Sequence, residues 1–202
     1  MTIFHLVRHA SHDLIGIALT GRTTDIGLSE QGRAEALRLA ERFAPMPIAA
    51  VYASALRRAA ETAETIANRI QLNVLLDARL IELDFGGWSG LTFDLLQDDP
   101  EWRRWNDFRS GTRAPGGETI AEAQARIIAA MIDLRDRHGD CEIVLVSHGD
   151  VIKAALAYWA GISLDHLRRI EIAPASISRV SLTAHGVSIL EINERVAASP
   201  HS

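Results

Sequence analysis

Short runs rich in aliphatic and β-branched residues alternate along the chain with longer segments in which apolar positions recur every three or four residues. The first kind reads as buried strands and the second as amphipathic helices packed against them. Strands are predicted over 3–7, 48–53, 73–76, 142–146, 176–183 and 187–193. Helices are predicted over 29–43, 55–70, 118–138 and 150–160, with a shorter apolar and polar stretch over 92–108. The last two strands are spaced to pair as a hairpin across Ala184-His185-Gly186. Helix starts are marked by Ser29 and Ser54 as N-caps and by Pro115-Gly116-Gly117 before Glu118. This alternation predicts an α/β fold in three layers, α/β/α, with a mostly parallel central sheet.

Composition narrows the class without changing that picture. With 202 residues, 48% hydrophobic and 23% charged, the chain has the make-up of a globular domain, which excludes wholesale disorder, collagen-like repeats and a disulfide scaffold. Its length suits one domain over 1–202. Apolar runs such as Ile127-Ile128-Ala129-Ala130-Met131-Ile132 are far shorter than the roughly 18 residues of a membrane span. Arg8 and His9 interrupt the apolar stretch that a signal peptide needs. The single cysteine, Cys141, supports neither an intramolecular disulfide nor a cysteine zinc site, so the expected location is the cytoplasm. The 21 Lys and Arg against 26 Asp and Glu leave a net charge of −5, which disfavours nucleic acid or an anionic membrane as partner. A homodimer is compatible with all of this. Residues 197–202, small and polar, read as a frayed tail. The stretch 86–117 departs from the regular alternation, carries Trp88, Trp102, Trp105 and Phe108 beside several arginines, and reads as an insertion that caps the site. Trp102, Trp105 and Phe108, spaced by three, read as the packing face of a short helix.

In an open α/β sheet, ligands bind beyond the carboxyl ends of the strands, and three predicted strands end there in polar chemistry. Arg8-His9 follows 3–7, Ser54 with Arg57 and Arg58 a turn later follows 48–53, and Ser147-His148-Gly149 follows 142–146. Cations at a helix start oppose its macrodipole by about 0.3–1 kcal/mol, a cost that an anion bound near Arg57 and Arg58 would relieve. Gly149 lets the start of the next helix come close to a phosphate. Each residue alone has a plainer reading. A histidine after a strand is ordinarily a satisfied polar residue, and an arginine in a first turn pairs weakly with Glu61 or Glu64, which is the reading Arg57 keeps. His5, His138, His166, His185 and His201 read as structural. His9-x-x-His12 lacks further ligands at supporting spacing, so no metal site is expected.

Six motifs, in order, resemble the histidine phosphatase superfamily, in the branch of cofactor-dependent phosphoglycerate mutases and small-molecule phosphatases. Leu6-Val7-Arg8-His9-Ala10 resembles L-V-R-H-G, Leu28-Ser29-Glu30-Gln31-Gly32 resembles the start of L-T-x-x-G-x-x-Q-A, and Ser54-Ala55-Leu56-Arg57-Arg58-Ala59 matches S-x-L-x-R-A. Leu80-Ile81-Glu82 through Gly90 resembles L-x-E-x-x-F-G-x-W-x-G, Pro115-Gly116-Gly117-Glu118-Thr119 resembles P-G-G-E-S, and Val146-Ser147-His148-Gly149 resembles V-S-H-G. The resemblance implies a phosphoglycerate mutase-like fold and a phosphomonoester hydrolase that acts on a small phosphorylated metabolite, with no metal and no cofactor. It implies His9 as the nucleophile that forms a phosphohistidine, and Arg8, Arg58 and His148 as a cage for the phosphoryl oxygens. Glu82, from the residues alone a solvated loop glutamate, becomes by resemblance the general acid and base. The family's R-H-G-E-T-x-x-N reads here Arg8-His9-Ala10-Ser11-His12-Asp13-Leu14-Ile15, and Ile15 cannot donate a hydrogen bond. Substrate contacts on that side are expected instead from Ser11, His12 or the Gly21-Arg22-Thr23-Thr24 segment, with Arg22 and Thr23 foremost. Two alternatives stand beside the hydrolase. One is a phosphoglycerate mutase, echoed by Trp102-Arg103-Arg104 but longer in that region; the other is an inactive protein that binds a phosphorylated ligand, disfavoured because all five site residues are present.

Overall fold

The computed structural model describes residues 1–196. At its centre β1 (Thr2–Arg8) runs parallel to β4 (Glu142–Ser147) and antiparallel to β5 (Ser176–Leu182). Beyond β4 lie β2 (Ile48–Ala53) and β3 (Val74–Leu76), both parallel, and beyond β5 lies β6 (Val187–Arg195), joined to it as the predicted hairpin. The order is therefore β3-β2-β4-β1-β5-β6, with β5 alone running against the rest. The expected residues 197–202 tail and His201 lie outside the described residues.

Successive residues of a strand face opposite sides, so the central strands feed two cores. Phe4, Leu6, Ile143 and Leu145 pack with α5 (Ile120–His138) and α6 (Gly149–Ala160) on one face. Val7, Val51, Val144 and Val146 pack with α1 (Glu30–Phe43) and α2 (Arg57–Arg69) on the other. The near-continuous apolar reading of these strands follows from that double burial, and the three-layer α/β/α arrangement is the one expected.

Local departures from the expected boundaries have identifiable causes. Ser29 caps its helix as predicted, accepting from Gly32 N at 3.0 Å. Ser54 does not cap: α2 starts at Arg57, and the Ser54 hydroxyl accepts from Leu56 N at 3.2 Å. The helix expected from 118 starts at Ile120, because Thr119 and Glu122 form a reciprocal capping box. Within the insertion, the stretch 92–108 splits into α3 (Phe93–Leu96) and α4 (Pro100–Asp107). Asp99 accepts from Glu101 N and Trp102 N, and Pro100 in the first turn starts a new helix rather than continuing the old one. Trp105 is buried and stacks on Trp102 at 5.3 Å between ring centroids, but Phe108 terminates the helix and is half exposed rather than packed.

Candidate active site

The register of the sheet determines which residues meet. Arg8 lies opposite Ser147 and Ala53 opposite Val146, so β1, β2 and β4 end at one level and release His9, Ser54 and His148 side by side. Backbone bonds from His9 N to Ser147 O at 2.9 Å and from Ser54 N to Val146 O at 3.0 Å hold that edge. The rings of His9 and His148 lie 5.1 Å apart, and both are buried.

His9 Nδ1 lies 2.9 Å from the carbonyl of Ala10, a contact that requires the proton on Nδ1 and leaves the lone pair on Nε2. Burial, with Arg8 and Arg58 nearby, holds this imidazole well below its usual range, so it is neutral at physiological pH. His148 is held neutral by burial, with His9, Arg58 and Arg8 adding to the effect. Its Nε2 lies 2.8 Å from Ser54 Oγ. With Ser54 Oγ accepting from Leu56 N, the hydroxyl proton can go to His148 Nε2. The ring proton then sits on Nδ1, a buried atom without a partner among the described residues.

Two guanidiniums complete the cage. Arg58, 1% exposed, donates to Gly21 O at 2.6 Å and Thr23 O at 3.1 Å, and Arg8 donates to Ile172 O at 2.7 Å. In both, Nε is buried and unpartnered among the described residues, and neither forms a carboxylate ion pair there. Arg58 is buried and Arg8 half-buried, and two such positive charges held only by carbonyl oxygens make a site for an anion. Arg57, by contrast, pairs with Glu61 at 2.6 Å, as its plainer reading expected.

Glu82 follows a short turn, Ala78–Leu80, whose Leu80 carbonyl accepts from Ser147 Oγ at 2.7 Å, tying its loop to the end of β4. It is half-buried rather than solvated, and Oε1 accepts from Leu83 N at 2.8 Å. Burial, followed by the charge of Asp150, pushes its carboxyl up to about 7 against the pull of Leu83 N–H, Arg58 and Arg8.

Arg8, His9 and Glu82 line one cavity of about 170 Å³, below the size of a drug-sized ligand pocket. Ile15, Leu19, Phe85 and Phe93 add apolar side chains to its lining, and Gly149, Asp150 and Lys153 bring the first turns of α6 to it. His12 reaches the cavity and stacks on His9 at 5.4 Å; burial, Arg58 and Arg8 lower it to about 4. Arg58 and His148 are buried and are not among the cavity's lining residues, and neither are Ser11, Thr23 and Arg22. Ser11 bonds Glu35 through both its N–H and hydroxyl. Thr23 is exposed and offers its carbonyl to Arg58. Arg22 braces the Glu82 loop, donating to Glu82 O at 2.9 Å and to Glu118 at 3.0 Å. Asp150, directly after His148-Gly149, and Lys153, one turn further along α6, line the cavity without having been singled out in the sequence, and Arg109, which has no local signal, pairs with Asp150. Among the described residues, no group of three or more His, Cys, Asp or Glu is arranged to hold a metal ion, and no helix is long and apolar enough to cross a membrane.

A neutral imidazole with a free lone pair, an unpaired cationic cage and a carboxyl poised between its two forms can attack, hold and protonate a phosphoryl ester. Comparison with known proteins agrees with that chemistry. The model of the histidine phosphatase superfamily (branch 1) matches residues 4–195. Phosphoserine phosphatase 1 of Hydrogenobacter thermophilus is 30% identical over 190 residues, covering 93% of this chain and 90% of that one. A protein of Enterobacter sp. named probable phosphoglycerate mutase GpmB is 32% identical over 179 residues, covering 87% and 83%. Among solved structures, the phosphoserine phosphatase of Entamoeba histolytica in complex with 3-phosphoglyceric acid superposes with a TM-score of 0.84 at 26% identity, covering 96% of this chain and 98% of that one.

Proposed function

From the premise that this chain belongs to the histidine phosphatase superfamily, branch 1, we propose that it hydrolyses a small phosphomonoester through a phosphohistidine on His9. The phosphate sits among Arg8, Arg58 and His148, whose donors meet the non-bridging oxygens where charge builds in the transition state. His9 Nε2 attacks phosphorus; the N–P bond forms as the ester P–O bond breaks, and Glu82 gives its proton to the departing oxygen. Glu82, now a carboxylate, takes a proton from the incoming water, which displaces phosphate from His9 and returns both residues to their starting forms. The observation that carries this reading is the His9 bond to the Ala10 carbonyl at 2.9 Å, which leaves a lone pair on Nε2 beside two guanidiniums that form no carboxylate ion pair among the described residues.

The insertion over 86–117 is read as the cap, a reading supported by Phe93 in the cavity lining. A relative named phosphoserine phosphatase and a neighbour complexed with 3-phosphoglyceric acid favour a small phosphorylated acid as substrate. The lone Cys141 and the net charge of −5 favour a cytoplasmic setting and a small molecule over nucleic acid. The mutase reading has the GpmB-named relative and the Trp102-Arg103-Arg104 echo in its favour. Yet Trp102 stacks within the insertion and Arg103 donates to Gln97 O at 2.8 Å, so both have local packing roles.

Rapid quenching without acid is expected to trap phosphate on His9, stable to alkali and labile to acid, and absent in His9→Ala. Label on a serine, an aspartate or Cys141 would overturn the mechanism. With 3-phosphoglycerate and a bisphosphate primer in the same assay, phosphate release should exceed isomerisation, and the reverse ratio would make the protein a mutase.

A further inference from the structure

We infer that Asp150, clamped by Arg109 of the capping insertion, is a positioning residue that holds the proton on Glu82, so that the insertion sets the pH range in which the acid works. The inference rests on the reading of Glu82 as general acid.

Asp150 is the second residue of α6 and lines the same cavity as Glu82. Its Oδ1 lies 3.2 Å from Arg109 Nη1. Arg109 comes from just beyond the end of α4 and is 7% exposed. Its other Nη donates to Asn106 Oδ1 at 3.0 Å, and its guanidinium carbon sits 4.2 Å from the ring centre of buried Trp105. The Asp150 carboxylate is therefore fixed from the insertion side, and α6 begins beneath it with its positive end. Like charges that share a cavity oppose each other's ionised form. Among the described residues Glu82 has no such ion pair, and burial together with the Asp150 charge pushes its carboxyl up to about 7.

The other charges around Glu82 are accounted for. Arg58 from α2 and Arg8 from β1 favour its carboxylate, and burial and Asp150 oppose them. His9 and His148 are neutral, and His12 is lowered to about 4. Lys153 lies one turn along α6 at the cavity edge. Arg22 touches only the Glu82 carbonyl and is itself paired with Glu118 and Asp84.

The test is the pH dependence of kcat/KM for an alkyl phosphate, which reports titrations of the free enzyme. Activity should fall as pH rises through the titration of Glu82, and Glu82→Gln should lose that basic limb. Asp150→Asn removes the like charge, so the limb should move to lower pH by about one unit, at the low end of what a close charge does. Arg109→Gln keeps a donor for Asp150 but removes the charge that offsets it, so the limb should move to higher pH. Opposite shifts are the expected result. If the limb disappears in Glu82→Gln but stays put in Asp150→Asn, Asp150 is only a tether and the inference falls while the general acid survives. If the limb persists in Glu82→Gln, it is the general-acid reading that falls. Should Asp150→Asn fail to fold, Arg109→Gln decides alone, and an unmoved or lowered limb overturns the inference.

Discussion

Glu82 shows how much a single side chain owes to its surroundings. In the sequence it is a loop glutamate; in the structure it is half-buried, accepts one backbone N–H and is pushed up to about 7. An acid matters in proportion to how badly the leaving group needs a proton. For Glu82→Gln the phosphorylation step should slow by about 10²–10⁴-fold with alkyl phosphates and far less with p-nitrophenyl phosphate. Single-turnover rates on both substrates check this, and equal losses would assign the role to another group. Such a role is not legible from Leu80-Ile81-Glu82 alone, because burial and the Asp150 charge come from elements distant in the chain. The gathering of Arg8, His9, Arg58 and His148 at one edge was legible because each lies at, or within about five residues of, a strand end that the apolar pattern marks.

Among elements, helix starts hold the site in shape. The first turn of α1 presses on the segment after β1: Ser29 N donates to Ser11 O at 3.0 Å, and a Cβ on Gly32 would lie 1.9 Å from that same oxygen. Backbone meets backbone here, two residues from His9, so neither side can yield by a rotamer change. Gly32→Ala should destabilise the fold by about 1–3 kcal/mol, the usual cost of overpacking, and should lower kcat as the loop beside His9 shifts. Gly186→Ala is the control, since no atom lies within 4 Å of its Cβ position, and thermal unfolding of the two variants separates the cases. A Gly32→Ala melting curve matching the control would refute the close approach. The Ser29 cap was readable from sequence because its partner is three residues away, whereas Ser54 was misread as a cap because its real partner, His148, is on another strand end.

For the whole molecule, burying neutral imidazoles brings sensitivity to acid. His5, His9, His12 and His148 are all buried with lowered proton affinity, burial being the largest cause in each. Below the unfolded imidazole value of about 6.5, the unfolded chain binds protons that the folded one refuses, so stability falls as pH falls. Each such group contributes a slope of roughly 1.4 kcal/mol per pH unit between its folded and unfolded values. Glu82 has the opposite sign: raised to about 7, it binds a proton in the fold that the unfolded chain has lost, so its contribution weakens as pH rises towards 7. One such group against four imidazoles leaves the net slope positive. Tm should therefore drop steadily between pH 6.5 and pH 5, as scanning calorimetry would record, and a flat or rising Tm on acidification would contradict neutral burial of these rings.

The sequence by itself determined the layers, the strands and the edge at which chemistry gathers, because these depend on periodicity and on residues adjacent in the chain. Alternating faces sort Phe4 and Leu6 into one core and Val7 into the other without reference to anything remote. Tertiary structure alone decided which groups enter the cavity and in what charge state. Ser11, Arg22 and Thr23 were expected to touch the substrate; in the structure Ser11 bonds Glu35, Arg22 bonds Glu118 and the Glu82 carbonyl, and Thr23 offers its carbonyl to Arg58. Asp150 and Arg109 are 41 residues apart and meet only when the insertion packs on α6. Proton affinity depends on burial and on charges across space, quantities that a linear pattern does not contain.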